Sequence, residues 1–224
     1  MPSAEAILSW ATSVANEWRS LAVFWHVALA VLLVAMSRSR IPERSVALLL
    51  VLPIVSVAVL AWLSRNTFNG LMFTVFAALL LRSATRVPRS GVTGVARGWR
   101  LAGWALIAFG WLYPHFLIAD TWAAYTYASP FGLLPCPTLA VVVGVTLVMG
   151  GCRSVSWTLA VAAAGVLYGA IGVFRLGVVL DVWLLVGAML LGALLTAELV
   201  AGRVRAPEDE RKPRALALIL NSRE

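Results

Sequence analysis

Nine side chains in this sequence are of types that can do chemistry: His26, Tyr113, His115, Asp120, Tyr125, Tyr127, Cys136, Arg175 and Asp181. Six of them fall in one stretch, YPHFLIADTWAAYTYASPFGLLPCPT (113–138), which holds one of two histidines, one of two cysteines and three of four tyrosines. Imidazole and thiolate suit copper, zinc or iron. His26, His115 and Cys136, with Asp120 as an oxygen donor, are therefore the candidate metal or haem ligands, although no spacing such as HExxH supports them. Each also has a structural reading. His26 can bond a neighbouring backbone group near the membrane surface, and His115 can bond the carbonyl freed by Pro114. In PCPT (135–138) the prolines suit a first helical turn, which puts Cys136 at a helix start as an outward-facing thiol. Arg175 and Asp181 form an ion pair or a cap around a turn, with a solute path as the alternative. Walker loops, GxGxxG and nucleophile elbows are missing, so nothing marks an enzyme.

The elements that must position these groups are membrane helices. Only 12% of the 224 residues are charged, against 61% hydrophobic. Soluble domains carry about 25% charged residues, so the solvent of this chain is lipid. Runs of about 20 apolar residues cross the hydrocarbon core as helices. Seven such spans are expected, at 20–36, 45–63, 67–82, 100–118, 135–151, 155–174 and 178–200, and they make an all-α polytopic bundle. Residues 1–19 read as an amphipathic segment on the membrane surface, with Ile7, Leu8, Trp10 and Ala11 on one side. Residues 201–224 read as a cytoplasmic tail, in which ALALIL (215–220) touches the membrane.

Basic residues orient the bundle. Fifteen of the eighteen fall on one side of the seven-span map, and only Arg19, Arg65 and Arg175 on the other. By the positive-inside rule the N-terminus is outside and the C-terminus inside a bacterial inner membrane. The net charge of +8 is then a topology signal, and the partner is the bilayer rather than a nucleic acid. Trp18, Trp62, Trp122 and Trp183 are expected at the outer interface, and Trp99 and Trp157 at the inner one. The only lysine, Lys212, lies in the tail, which excludes a retinal Schiff base.

Small residues at four-residue intervals let membrane helices approach closely. Gly165, Gly169 and Gly172 in the sixth span, with Ala188, Gly192 and Thr196 in the seventh, predict a tight intramolecular pair, a homo-oligomer contact being the alternative. Pro53 is expected to kink the second span and Pro114 to loosen the fourth.

The segment SPFGLLPCPTLAVVVGVTLVMGG (129–151), together with WLSRNTFNGLMFTVFAALLL (62–81), resembles a family of bacterial multi-pass membrane proteins classed as a domain of unknown function. The resemblance implies an all-helical inner-membrane protein and assigns no substrate. It also implies that Pro135, Pro137 and Thr138 carry the motif rather than Cys136. Two functions follow from the sequence. A small-solute permease or membrane accessory protein needs a polar path from the outer cluster to Glu198. A sensor, assembly factor or haem- or metal-binding redox subunit needs only an outward-facing pocket.

Overall fold

A computed structural model of the chain describes residues 3–38, 41–88 and 95–202. The tail from 203, with Lys212 and the ALALIL run, and residues 89–94 of the basic loop lie outside the described residues. The described residues are all-helical, with no strand among them: α1 (Ala4–Glu17), α2 (Arg19–Ser37), α3 (Glu43–Leu63), α4 (Thr67–Ala84), α5 (Arg97–Leu112), α6 (Tyr125–Ala128), α7 (Pro135–Val148), α8 (Val155–Ala170) and α9 (Val182–Val200). Five segments are long and apolar enough to cross a membrane: Arg19–Ser37, Glu43–Leu63, Thr67–Ala84, Val155–Arg175 and Val179–Val200. Their outward faces expose large apolar side chains such as Phe24, Val27, Val31, Leu52 and Val59. Unbroken apolar surface of this kind belongs in lipid, and the protein is a membrane protein.

Two helices are shorter than their apolar runs. α5 stops at Leu112 rather than 118; Pro114 has no N–H to continue it. α7 stops at Val148 rather than 151, because Gly150, Gly151, Cys152 and Arg153 all take left-handed backbone (φ 64, 77, 54 and 45) and turn the chain into α8. Conversely, the polar start of α4 is explained by its cap. The Asn66 side chain accepts from the Asn69 N–H at 3.2 Å, satisfying a donor that the first turn leaves open. α3 runs on through Pro53 without interruption.

α7 is the central post. Every one of its residues is buried except Cys136, which is half-buried. It lies backbone to backbone with α5: a Cβ added to Gly103 would sit 2.6 Å from the Gly144 carbonyl, and one added to Gly144 would sit 2.6 Å from that of Gly103. The expected α8–α9 pair is also present, with Gly165 against Ala188 and Gly169 against the Leu185 backbone. The stripe ends there. Nothing lies within 4 Å of a Cβ at Gly192, and Thr196 bonds back to the Gly192 carbonyl.

Tryptophan placement needs one correction. Trp122, Trp183, Trp62 and Trp18 are exposed, as interface anchors should be. Trp157 is fully buried, and its indole N–H donates to Thr146 Oγ1 at 3.1 Å. It joins α8 to α7 in the core rather than marking a membrane surface.

Candidate functional site

A cavity of about 350 Å³ opens at the end of the bundle that carries the 113–138 stretch. Its walls come from α1, the start of α4, the start of α7, the end of α8 and the turn into α9. Local sequence accounts for each wall. The segment before α7 folds back on itself: the Leu133 and Leu134 N–H groups donate to the Pro130 carbonyl, and Gly132 takes φ +75. A Cβ at Gly132 would collide with the Trp25 ring, so this position needs glycine on two grounds. Thr138 Oγ1 donates to the Leu134 carbonyl at 2.7 Å and accepts the Gly132 N–H at 2.9 Å. Thr138 thus braces the turn that leads into α7, whose first turn is set by Pro135 and Pro137, and Cys136 faces the cavity.

The opposite wall is set by a single π turn. α8 does not end at Ala170 but widens over Ile171–Arg175, with the Leu176 N–H donating to the Ile171 carbonyl at 3.0 Å. Such turns recur at functional sites. This one carries Ile171, Gly172 and Arg175 into the cavity wall. Gly172 is required because the Asp181 carboxylate occupies the space of a side chain there; an added Cβ would be 1.9 Å from Oδ2.

Asp181 is the buried polar centre, 1% exposed. Its Oδ1 accepts the Tyr113 hydroxyl at 2.6 Å, and Cys136 lines the same cavity. Of the two arrangements expected for it, the cap is not formed: the Asp181 side chain does not cap α9. Tyr113 sits just beyond α5 and is fully buried. A second buried pair lies nearby, where the Tyr168 hydroxyl donates to Asn69 Oδ1 at 3.0 Å.

α1 covers the cavity. Ile7, Leu8, Trp10 and Ala11 line it, so the apolar face expected on the membrane surface is turned onto the protein. Three polar ties hold the helix there. Trp10 Nε1 donates to Ser64 Oγ at 2.5 Å; Asn16 Nδ2 donates to the Phe116 carbonyl at 2.9 Å; Asn16 Oδ1 accepts the Ile118 N–H at 3.0 Å. Phe116, another wall residue, has left-handed backbone (φ 70), which is strained for a bulky side chain.

The nine sequence candidates separate. Cys136, Arg175 and Asp181 line the cavity, and Tyr113 supports Asp181 from behind. His26 is elsewhere and buried: Nδ1 lies 2.8 Å from the Ala22 carbonyl and Nε2 lies 3.0 Å from that of Trp111. Both ring nitrogens are engaged, so His26 ties α2 to the end of α5. His115, Asp120 and Tyr127 are exposed. Tyr125 bonds the Leu117 carbonyl and shapes the outer loop. The His26, His115 and Cys136 ligand set is therefore not assembled, and no group of three His, Cys, Asp or Glu side chains suited to a metal occurs among the described residues. Cys136 is a half-buried thiol in a pocket wall rather than a thiol presented to the outside.

Sequence reasoning passed over Asn69 and Tyr168, and placed Trp10 on the membrane surface rather than in a cavity wall. Asn69 and Tyr168 are buried polar groups within apolar helices, and such groups need partners; one acceptor and one donor near the same end were the available signal. The chain matches no protein-family model, no curated protein and no solved structure.

Proposed function

We propose that this is a seven-span protein of a bacterial inner membrane, N-terminus out and C-terminus in, which binds a small, largely apolar solute at its outer face. It holds the solute and does not conduct it, as an accessory or sensing subunit would. The observation that carries this reading is the cavity with its closed floor. Beneath it, α7 is packed on all sides by apolar side chains. Near Glu198 at the other end, the space bounded by Gly151, Thr158 and Leu194 amounts to about 10 Å³. A permease for a polar solute would need a polar route between these ends. The likeness of SPFGLLPCPT to a family of membrane proteins of unknown function agrees with the bundle and adds no chemistry.

The test uses 2-phenylethanol, a neutral apolar solute that fits the cavity, with the protein in zwitterionic lipid nanodiscs. Saturation-transfer NMR is expected to show binding above that of empty nanodiscs. Leu8→Trp, which fills the cavity from α1, should abolish it. Binding unchanged by Leu8→Trp would place the solute elsewhere and sink the proposal.

A further inference from the structure

Two wall residues of the cavity also face outward, Phe68 at 44% exposure and Leu167 at 39%. A residue that both lines a cavity and faces outside stands at its mouth. Their chain neighbours, Asn69 and Tyr168, are buried and hydrogen-bonded to each other at 3.0 Å. That bond, backed by the edge-on contact of Tyr168 with Phe73, fastens α4 to α8. Phe68 and Leu167 are thereby held on the two sides of one seam. The seam lies well below the end of the bundle. Leu167 comes eight residues before Arg175, where its apolar span ends, which is about 12 Å along the helix. At that depth the neighbour is hydrocarbon rather than water. Over the end of the bundle, α1 is tied to Ser64, to the Phe116 carbonyl and to the Ile118 N–H.

We propose, on the strength of the solute-binding reading above, that the solute is a single-chain lipid of the outer leaflet. Its alkyl chain enters the cavity between α4 and α8 and lies beneath α1, while its head group stays at the membrane surface. An apolar cavity left empty forfeits the dispersion contacts of its lining. A chain moving in from the bilayer restores those contacts with Leu8, Leu134 and Ile171. Fluid lipid closes behind it, so a void is removed without taking any polar group out of water. The volume sets the number of chains. An apolar cavity of about 150 Å³ takes the six carbons of benzene. On that scale the 350 Å³ here holds about fourteen carbons, one chain rather than the two of a phospholipid. Asp181, in the same wall, is already bonded to Tyr113, and the chain makes no demand on it.

The probe is lauroyl lysophosphatidylcholine carrying a diazirine at its chain end. It is added to the full chain in zwitterionic nanodiscs and irradiated, and the labelled residues are located by mass spectrometry. Leu52 on α3 is half-exposed and reports contact with the surrounding bilayer, whereas Leu134 is 2% exposed and lines the cavity. Label is expected on both. Leu8→Trp should remove it from Leu134 and keep it on Leu52, with the melting temperature near that of the unaltered protein. Lauroyl lysophosphatidylcholine without the diazirine should displace 2-phenylethanol, and the butyryl compound, with the same head group, should not. Label on Leu52 with none on Leu134 would overturn the lipid chain, while binding of 2-phenylethanol would leave the solute-binding reading standing. Label on Leu134 that survives Leu8→Trp, or equal displacement by the butyryl compound, would overturn it too. Absence of both the Leu134 label and 2-phenylethanol binding would remove both readings.

Discussion

At the scale of single residues, the buried charges are unevenly supported at the two ends of the molecule. Asp181 accepts the Tyr113 hydroxyl at 2.6 Å. Glu43, the first residue of α3, is fully buried with neither oxygen hydrogen-bonded, and it faces Arg153 at 3.5 Å. Arg153 is one of four consecutive left-handed residues, so the α7–α8 turn is shaped around delivering it to Glu43. Removing one member of a buried pair leaves an uncompensated charge. Arg153→Ala is expected to cost about 3 kcal/mol, whereas the double change Glu43→Leu with Arg153→Met should recover most of that loss. Chemical denaturation in detergent micelles would measure both. Equal stability of the single and double variants would show that the pair contributes nothing. Neither residue stood out in the sequence, because Glu43 lies in a run of basic residues and reads as a solvated loop charge. Its burial depends on a turn more than a hundred residues later.

Among the elements, glycine spacing was a partial guide. The α8–α9 stripe was legible because Gly165 and Gly169 recur on one face of an apolar helix. Its continuation to Gly192 was not, because a four-residue interval names a face without saying what lies opposite. The close approach of Gly103 to Gly144 was missed since the α5 glycines facing α7, Gly103 and Gly110, are not at a four-residue interval and α7 offers Gly144 alone. Gly144→Leu is therefore expected to wedge α5 from the central post and sharply lower thermal stability, as overpacking a close contact does. Gly192→Leu, with nothing within 4 Å, should leave the melting temperature nearly unchanged. A scanning-fluorimetry comparison decides it, and comparable losses in both variants would contradict the packing described. The helix starts were more readable. PCPT announced the beginning of α7 through the fixed φ of proline, and the chain breaks there as expected.

For the whole molecule, orientation is the property that function requires, since the cavity serves the outer face only if α1 lies outside. Cysteine introduced at exposed Thr121 should react with an impermeant maleimide in intact spheroplasts. Cysteine at exposed Thr85, at the opposite end, should react only after lysis; the reverse pattern would invert the topology. The membrane class and helical architecture follow from composition and apolar run length, because a backbone in lipid must satisfy its own hydrogen bonds and a helix does so locally. Basic-residue asymmetry likewise points to an orientation without any knowledge of packing. The site was not legible in that way. His26, His115 and Cys136 share plausible ligand chemistry, yet helix rotation sends His26 to a backbone clamp and Cys136 to a cavity wall, while His115 falls in the loop beyond α5 and faces solvent. Asp181 met Tyr113, from just beyond α5, and fills the space left by Gly172 in the π turn. Residue type and spacing set what each helix can bury, whereas the angular register between helices sets which side chains meet, and that register arises only from the packed bundle.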